Sequence, residues 1–455
     1  MYSKVLASIC VAAVSLMGIL APDPAQAQVS AKFKNMRKDI RVAVENINGQ
    51  RTYETMTIKR AMKFYKVEGA VVVTIVGDQI ETLKHFGYRN IDDGLPVDAN
   101  TIFPTASLSK LPAALAVVIG ARKGKGPKLG RAIGKIADAH PGSVLNHWYK
   151  TRSKVFWSDA TGAPHGPSMR RLLSHTAGLS RHGVSTSLAT CDTHLRNVLL
   201  GLPKPCENEA TNPFAIPGTV FDYSGGGFTV AEAAVEEVSG QSAEAFLQEH
   251  FMDEFAMTLS TYERANPTMT NLARPCYDRG KIACSEYVLF TDVKFAGGLL
   301  AHPVDYAKLV SILMNDGKTI GGKQVLQPDE LEDILTPIWH RDSSLKSCTS
   351  SCSSGICLSG KCRVPLTWDG QRYGLGVKVD NEIWNGLPRV FHHGGGQPGV
   401  STIFWADRKE KKAIVVFSIG EKEFNTPGHL PGVSTDLPGG YDFVWDLVYA
   451  FQRAY

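Results

Sequence analysis

The segment Phe103-Pro104-Thr105-Ala106-Ser107-Leu108-Ser109-Lys110 carries the strongest chemical signal in this 455-residue chain. Its S-x-x-K spacing places Ser107 and Lys110 on one face of a helix, because side chains three positions apart are neighbours there. Ser107 in the first turn also lies near the positive end of the helix dipole, which favours a developing alkoxide. Burial and neighbouring cations lower the pKa of a lysine and allow it to accept a proton. Ser107 is therefore a candidate nucleophile that Lys110 would activate, on a helix that Pro112 is expected to kink or loosen. Taken alone, however, an S-x-x-K spacing also occurs by chance in many proteins.

The segment Tyr223-Ser224-Gly225, which two more glycines follow, is a second candidate element. Glycines let the backbone turn tightly and approach a ligand closely. A tyrosine phenol placed there can act as a general acid or base. Taken alone, however, the segment fits an aromatic core residue that leads into a helix better than it fits a site.

The segment His393-Gly394-Gly395-Gly396 is the third candidate. A strand of glycines can expose its N–H groups to a substrate, as an oxyanion hole requires. Taken alone, the segment is a flexible strand end, and either His392 or His393 could be structural. Because neighbours on a strand alternate faces, His392 is expected to point away from the cleft.

The order and surroundings of these three elements match one family. The chain resembles the class C β-lactamase group of penicillin-recognising enzymes, which includes D-alanyl-D-alanine carboxypeptidases, D-aminopeptidases and family VIII esterases. The resemblance runs from about Gly69 to Tyr455 and includes three supporting runs, RLLSHTAGL from Arg171, AGGL from Ala296 and YGLG from Tyr373. In that family the run that contains His175 is structural, a helix end and a turn.

The resemblance implies a role for each candidate residue. Ser107 is expected to attack a carbonyl carbon and become acylated, while Lys110 and Tyr223 share the proton transfer, with the identity of the base left open. The N–H groups of Ser107 and Gly396 are expected to form the oxyanion hole. His393 stands where β-lactamases carry the lysine of K-T-G, so it is expected to line the cleft with Gly394 and Gly395. There it would polarise Tyr223 or meet a substrate carboxylate.

Two departures from the family pattern bear on the substrate. Gly225 stands where amide-cleaving members usually carry an asparagine that binds the acyl amide, a contact worth ~1 kcal/mol or more. His393 replaces a permanent cation. Both departures favour an esterase-like hydrolase. A D-Ala-D-Ala carboxypeptidase, a D-aminopeptidase or a β-lactamase is the alternative, since H-x-G also occurs in the carboxypeptidase branch. A non-catalytic binding protein of the same fold is the third hypothesis.

Strand-like segments at both ends of the chain, with helices between them, predict a discontinuous α/β (α+β) architecture. Gly69–Val76 and Ile80–Tyr88 predict a hairpin, and Arg51–Lys66 has helical periodicity with candidate buried positions at Tyr53, Met56, Ile58, Met62 and Tyr65. Further helices are predicted over Phe228–Ser239, Ser242–Phe251, Pro303–Met314 and Tyr441–Arg453. Late strands are predicted over Tyr373–Val379, Val390–His393, Ser401–Asp407 and Lys412–Ile419.

The expected domain is a β-lactamase/transpeptidase-like hydrolase domain over residues 28–455. One antiparallel sheet with flanking helices is expected from residues about 50–104 and 365–455, and an inserted helical lobe from residues about 105–364. A cleft between the lobes would hold the site.

Residues 1–27 have the pattern of a signal peptide. Lys4 provides the positive start, Val5–Ala21 is apolar, and Ala25-Gln26-Ala27 is a small-x-small cleavage site. The apolar run is short of the about 20 residues that a spanning helix needs. We expect cleavage after Ala27, export to the periplasm or the extracellular space, and no membrane span in the mature chain. An uncleaved anchor is the alternative.

Removal of the leader takes Cys10 with it and leaves eight cysteines, which predicts disulfides in an oxidising compartment. Cys191 with Cys206 and Cys276 with Cys284 are the natural local pairs. The Cys-rich insertion 348–362 is expected to hold two bridges among Cys348, Cys352, Cys357 and Cys362. It forms a stapled surface loop or a lid over the cleft, and a zinc site is the competing interpretation, although C-x2-C pairs are missing.

The composition, 43% hydrophobic and 20% charged with a formal charge of +5, is that of an ordinary globular protein. It does not indicate a nucleic-acid partner. The basic segment 122–135 is expected to be a solvated loop or face, with contact to an anionic envelope polymer as the alternative. The expected partner is a small ester, amide or peptide, cell-wall peptides included. No cofactor or metal is expected, and the sequence leaves the oligomeric state open.

Overall fold

Strands from both ends of the chain meet in one antiparallel sheet of eight strands in a computed structural model. The structure describes residues 30–45, 51–152, 166–180, 195–201, 210–218, 220–263, 269–274, 293–337, 356–358, 361–363, 372–397, 399–420 and 440–455. The strands are β1 Ile40–Glu45, β2 Arg51–Met56, β3 Val67–Val76, β4 Gln79–Asn90, β5 Leu95–Pro96, β6 Phe103–Pro104, β7 Leu300–Ala301, β8 Ile356–Leu358, β9 Lys361–Arg363, β10 Arg372–Tyr373, β11 Lys378–Val379, β12 Ile383–Trp384, β13 Leu387–Pro388, β14 Val390–Gln397, β15 Val400–Asp407 and β16 Lys412–Gly420.

Helices lie on both sides of this sheet and fill the middle of the chain. They are α1 Ala31–Met36, α2 Ile58–Phe64, α3 Lys110–Arg122, α4 Ile133–Ala139, α5 Val144–Arg152, α6 Met169–Leu173, α7 Leu195–Leu200, α8 Gly225–Ser239, α9 Ala243–Leu247, α10 Lys294–Gly297, α11 Pro303–Met314, α12 Pro328–Leu335 and α13 Gly440–Ala454. A 3₁₀ turn, Ala106–Ser109, precedes α3, and a π-helical turn, Gln248–Met252, follows α9.

The strand order of the large sheet is β10-β11-β14-β15-β16-β3-β4-β5. Its centre joins the two ends of the chain, because β16 pairs antiparallel with β3 and Val416 lies opposite Val72. The predicted discontinuous sheet and the predicted hairpin at Gly69–Tyr88 are therefore confirmed. The late strands β14, β15 and β16 and the helix Pro303–Met314 also lie where the sequence predicts them.

The sheet has a hydrophobic core on each face, as the alternation of side chains along a strand requires. On β3, Val71 and Val73 face the core that contains α3, α8 and α11. Ala70 and Val72 face a smaller core that is formed with α1, α2 and α13. The larger core carries the helical lobe, so the end of β14 and the start of α3 meet on that side of the sheet.

Two predicted elements differ from the structure. Arg51–Lys66 is not one helix, since Arg51–Met56 pairs with β1 and Tyr53 is 75% exposed, whereas α2 begins at Ile58. The chain changes from strand to helix at Thr57, the N-cap residue of α2, whose side chain accepts the N–H of Arg60. Tyr373–Val379 is not one strand either, because β10 and β11 pair with each other across a tight turn.

Several predictions concern residues that the structure does not describe. The leader 1–27 and Cys191, Cys206, Cys276 and Cys284 lie outside the described residues, as do Cys348 and Cys352. In the cysteine-rich insertion, Cys357 and Cys362 are opposite partners in the β8–β9 hairpin. Among the described residues, no helix has both the length and the apolar character needed to cross a membrane.

Candidate active site

Ser107 lies in the 3₁₀ turn Ala106–Ser109, which we call the nucleophile turn, and Lys110 is the first residue of α3. Side chains three apart are eclipsed in a 3₁₀ turn, so the predicted i, i+3 proximity arises there and not within one α-helix. Ala106 has a φ of 48°, a strained value for a residue with a Cβ. Pro112 is the third residue of α3, a position in the first turn where proline is tolerated because the backbone needs no N–H donor there.

The Lys110 amine is the centre of the site. Its Nζ lies 3.0 Å from Ser107 Oγ and donates to the Ala296 carbonyl at 2.7 Å. Lys110 is 2% exposed, and burial lowers the pKa of its amine to about 7. Ser107 itself remains partly exposed. A substantial fraction of the lysine is therefore neutral at neutral pH, beside a hydroxyl that a substrate can reach.

Hydrogen bonds from the helical lobe hold the nucleophile turn in place. Thr105 Oγ1 donates to the Leu299 carbonyl at 2.8 Å, and the Leu299 N–H donates to Ser109 Oγ at 3.0 Å. Tyr306 Oη donates to the Leu108 carbonyl at 3.0 Å. The strained backbone at Ala106 persists because its neighbours are fixed on several sides.

Tyr223 comes just before Ser224, the N-cap residue of α8, and its ring faces the same amine. The Lys110 Nζ lies 5.1 Å from the centroid of the Tyr223 ring. The ring of His175 lies against the Tyr223 ring at 4.1 Å, and His175 Nδ1 accepts the Ser224 N–H at 3.0 Å. Burial, followed by the charge of Lys110, keeps the pKa of His175 well below its usual range. Neutral His175 thus supports the segment that carries the phenol.

Strand β14 passes against the nucleophile turn at its glycines. A Cβ at Gly395 would lie 2.3 Å from both the Thr105 carbonyl oxygen and Thr402 Oγ1. Thr402 Oγ1 also donates to that carbonyl at 2.9 Å. Only glycine permits this approach, which brings the Gly394–Gly396 backbone beside Ser107.

His393 is tied to the protein through both ring nitrogens. Its Nδ1 donates to the Gly394 carbonyl at 2.7 Å, and Tyr373 Oη donates to its Nε2 at 2.7 Å. His393 is 2% exposed, and burial keeps its pKa well below the usual range. The imidazole is therefore neutral and has no free donor for a substrate carboxylate. His392 points to the other face of the sheet, where its ring meets Trp445 edge-on at 5.5 Å.

A Tyr373→Phe variant tests the Tyr373–His393 pair. We expect the free energy of unfolding to fall by about 1–3 kcal/mol, because a buried acceptor is left without its partner. Urea denaturation measures this loss. Tyr449→Phe, at a tyrosine that is 46% exposed, is the matched control and should be nearly neutral. Equal stability of the two variants would contradict the importance of the hydrogen bond.

The structure brings together Ser107, Lys110, Tyr223 and His393, and it places Gly225 at the start of α8 and Gly394–Gly396 on β14. Sequence reasoning did not assign the contacts of Tyr373 and His175, although both stand in runs that support the family resemblance. The YGLG run that contains Tyr373 was the signal that could have placed this tyrosine at the site. Its second glycine, Gly376, has a φ of 69°, and a Cβ there would lie 2.4 Å from the Lys110 carbonyl oxygen, so the run packs directly against the start of α3.

The chain is similar in sequence to known proteins. The family model described as Beta-lactamase matches residues 56–429. A penicillin-binding protein of Bacillus subtilis (strain 168) is 23% identical over 377 residues, which cover 82% of this chain and 72% of that protein.

Two solved structures show the same fold. A class C beta-lactamase superposes on this chain with a TM-score of 0.57 at 15% sequence identity, and the superposition covers 87% of this chain and 93% of the beta-lactamase. EstCE1, described as a hydrolase with promiscuous acyltransferase activity, superposes with a TM-score of 0.57 at 16% sequence identity. That superposition covers 86% of this chain and 96% of EstCE1.

Proposed function

The chain belongs to the beta-lactamase family, and we propose that it is an exported serine hydrolase that cleaves esters through an acyl-Ser107 intermediate. The observation that carries the proposal is the buried amine of Lys110, 3.0 Å from a partly exposed Ser107 Oγ, with its pKa lowered to about 7. A base with a pKa near the working pH is the most effective in general base catalysis.

In the proposed acylation, Ser107 Oγ attacks the ester carbonyl carbon while its proton passes to Lys110 or Tyr223. The N–H groups of Ser107 and Gly396 stabilise the negative charge that develops on the carbonyl oxygen. The C–O bond of the ester then breaks, and the alcohol leaves with the proton. In deacylation, water attacks the acyl carbon, gives up its proton by the same route and releases the acid with Ser107 restored.

The preference for an ester rests on the two family positions that have changed. Gly225 has no side chain to bind an acyl amide, so an amide substrate gains nothing there that an ester lacks. His393 is neutral and uses both ring nitrogens within the protein. A carboxylate next to the scissile bond therefore meets no cation at this position.

Cleavage of cell-wall D-amino-acid peptides, or of related β-lactams, is the second candidate. The name of the Bacillus subtilis relative as a penicillin-binding protein favours it. Lys378 on β11, whose charge adds to burial in lowering the pKa of both His393 and His175, is a described cation that could meet the carboxylate of such a substrate.

A substrate panel separates these candidates. Purified protein is incubated with p-nitrophenyl butyrate, a chromogenic cephalosporin and a D-Ala-D-Ala peptide, and turnover and intact mass are recorded. We expect the ester to be turned over fastest, by at least about tenfold in kcat/KM. The peptide and the cephalosporin carry an acyl amide and a carboxylate that gain no contact at Gly225 and His393, whereas the ester carries neither group. Faster cleavage of the peptide or the cephalosporin would replace the esterase proposal. No turnover and no acylation with any of the three would indicate a binding protein.

The pH dependence follows from the Lys110 amine. We expect kcat/KM for the ester to rise with pH through an apparent pKa of about 7, because the amine accepts a proton only in its neutral form. Initial rates at low ester concentration, measured across the neutral range, give this profile. A flat profile, or one that falls through this range, would rule out the neutral lysine as the base.

Export is proposed from the leader at residues 1–27. A protein secreted by its natural cell should begin at Gln28, which N-terminal mass analysis of the mature chain measures. The same sample, analysed without reduction, tests the predicted disulfides.

A further inference from the structure

Glu232 is a buried carboxyl within α8, the helix that begins directly after Ser224. It is 3% exposed, and its Oε2 accepts the N–H of Phe295 at 2.9 Å. A buried carboxyl requires a specific partner, and here the partner is the backbone of α10. Glu232 therefore connects the helix that follows Tyr223 to the segment Lys294–Gly297.

The α10 segment is too short to hold its own shape, since a single helical turn is unstable in isolation. Its position depends on contacts to other elements. Phe295 donates to Glu232, Lys294 Nζ donates to the Tyr262 carbonyl, and the Ala296 carbonyl accepts from Lys110 Nζ at 2.7 Å. The Glu232 and Lys110 contacts are made by adjacent residues, so a shift at Phe295 moves the Ala296 carbonyl as well.

We propose that Glu232 is a positioning residue for Lys110. By holding the Phe295 N–H, its carboxyl fixes the Ala296 carbonyl, which in turn fixes the amine 3.0 Å from Ser107 Oγ. This proposal rests on the proposed function, because the group that Glu232 positions is the base of the acylation step. Glu232 lies behind the base and does not touch the reacting atoms.

The surroundings of Glu232 indicate which replacements preserve this role. Burial, with a smaller contribution from the charge of Glu236 on the same helix, raises the pKa of its carboxyl to about 8, although the backbone N–H groups of Phe295 and Lys294 and the charge of Lys294 oppose the rise. Tyr262 is the other titratable group that faces it, and its pKa is raised by burial and by Glu232. Below about pH 8 the group is mainly a neutral acid, whose carbonyl oxygen still accepts the N–H. Glutamine keeps that acceptor at the same reach, whereas aspartate withdraws it.

The test compares Glu232→Gln, Glu232→Asp and Glu232→Ala with a matched control, Glu236→Ala. Glu236 also lies on α8 and accepts a backbone N–H, that of Ala243, but it holds α9. The readouts are kcat/KM for p-nitrophenyl butyrate and its pH profile. We expect the Asp and Ala variants to lose about 10–100-fold in kcat/KM, as small misplacements of catalytic groups do, and the Gln variant to stay within about threefold.

The Gln variant should also lose any change in rate that the wild type shows above about pH 8, because it cannot ionise there. Glu236→Ala should keep the wild-type rate at neutral pH, measured at a temperature where both proteins are fully folded. Any change in rate that Glu232 ionisation causes should move to lower pH in this variant, because Glu236 no longer raises the pKa of Glu232. An Asp variant as active as the Gln variant would overturn the proposal, because the rate would then not depend on the reach of the side chain. Wild-type kinetics in folded Glu232→Ala would overturn it as well.

Crystal structures of the Gln and Ala variants give a readout that is independent of turnover. We expect the Lys110 Nζ–Ala296 O distance to stay near 2.7 Å in Glu232→Gln and to lengthen in Glu232→Ala. An unchanged distance in the Ala variant overturns the positioning role even if the protein cleaves no ester. If the Ala variant does not fold, Glu232→Asp is used in its place, with the same expected lengthening. A wild type without Ser107-dependent turnover defeats the proposed function and leaves this structural test decisive.

Discussion

Ser107→Ala should reduce kcat/KM for p-nitrophenyl butyrate by at least about 10⁴-fold and abolish the covalent adduct in the intact mass. The expected size reflects the loss of a covalent route, since removal of a nucleophile leaves only binding and oxyanion stabilisation. Because Ser107 is partly exposed and its hydroxyl bonds to the flexible Lys110 side chain in the described part of the site, the variant should fold normally. Circular dichroism and thermal unfolding check this.

Ser109→Ala is the matched control for the adduct. Ser109 Oγ is buried and donates to the Ala106 carbonyl at 2.8 Å, so it holds the nucleophile turn and is not presented to a substrate. Its alanine variant should be less stable and still become acylated. Hydrolysis by Ser107→Ala at the wild-type rate, or an adduct that survives in it, would refute the mechanism.

Lys110→Met should lower kcat/KM by about 10³-fold and, at the same time, raise the stability of the protein. The rate falls because no neutral amine remains 3.0 Å from Ser107 Oγ. The stability rises because folding forces a lysine into an apolar site that lowers its pKa to about 7. At about 1.4 kcal/mol for each pKa unit, this cost is on the order of several kcal/mol, of which methionine recovers a part.

The sign of the pH effect on stability distinguishes this explanation from simple repacking. Above about pH 7 the folded lysine is neutral while the unfolded one still binds a proton, so wild-type stability should rise with pH toward the unfolded pKa. Lys110→Met should lack that rise. Urea denaturation at two pH values above 7 measures the difference. Lys128→Met, at an exposed lysine, is the control. It should change neither the rise of the free energy of unfolding with pH nor kcat/KM for the ester. A destabilised Lys110→Met variant would count against the buried-amine account.

The central sheet could be predicted because its strands are long β-branched runs with a clear turn between them. The run Val71–Ile75 has no competing helical interpretation, and the same holds for Ile414–Val416. Arg51–Met56 could not be assigned, because its apolar residues also fit a helical period and its partner β1 is polar on one face. Pairing with β1, a tertiary contact, decides its conformation.

The candidate site likewise contains residues that the sequence indicates and contacts that it does not. Ser107, Lys110, Tyr223 and His393 were found because fixed spacing and order identify them. Glu232 could not be found in that way, because a glutamate in a helix of mixed polarity is most often solvated. Its burial depends on where α10 lies, and α10 comes far along the chain. The Tyr373–His393 hydrogen bond likewise depends on how β10 turns back on β11.

The pairing of β3 with β16 has a consequence for how the chain reaches its native state. Val72 can acquire its partner Val416 only after nearly the whole polypeptide is available, so the open edge of the β3–β4 hairpin stays unsatisfied until then. Such long-range pairing slows folding, and a strand edge that stays unpaired in the meantime favours aggregation. For the proposed export, in which the chain would cross a membrane unfolded, the same delay would be an advantage, since a sheet that cannot close early does not obstruct translocation.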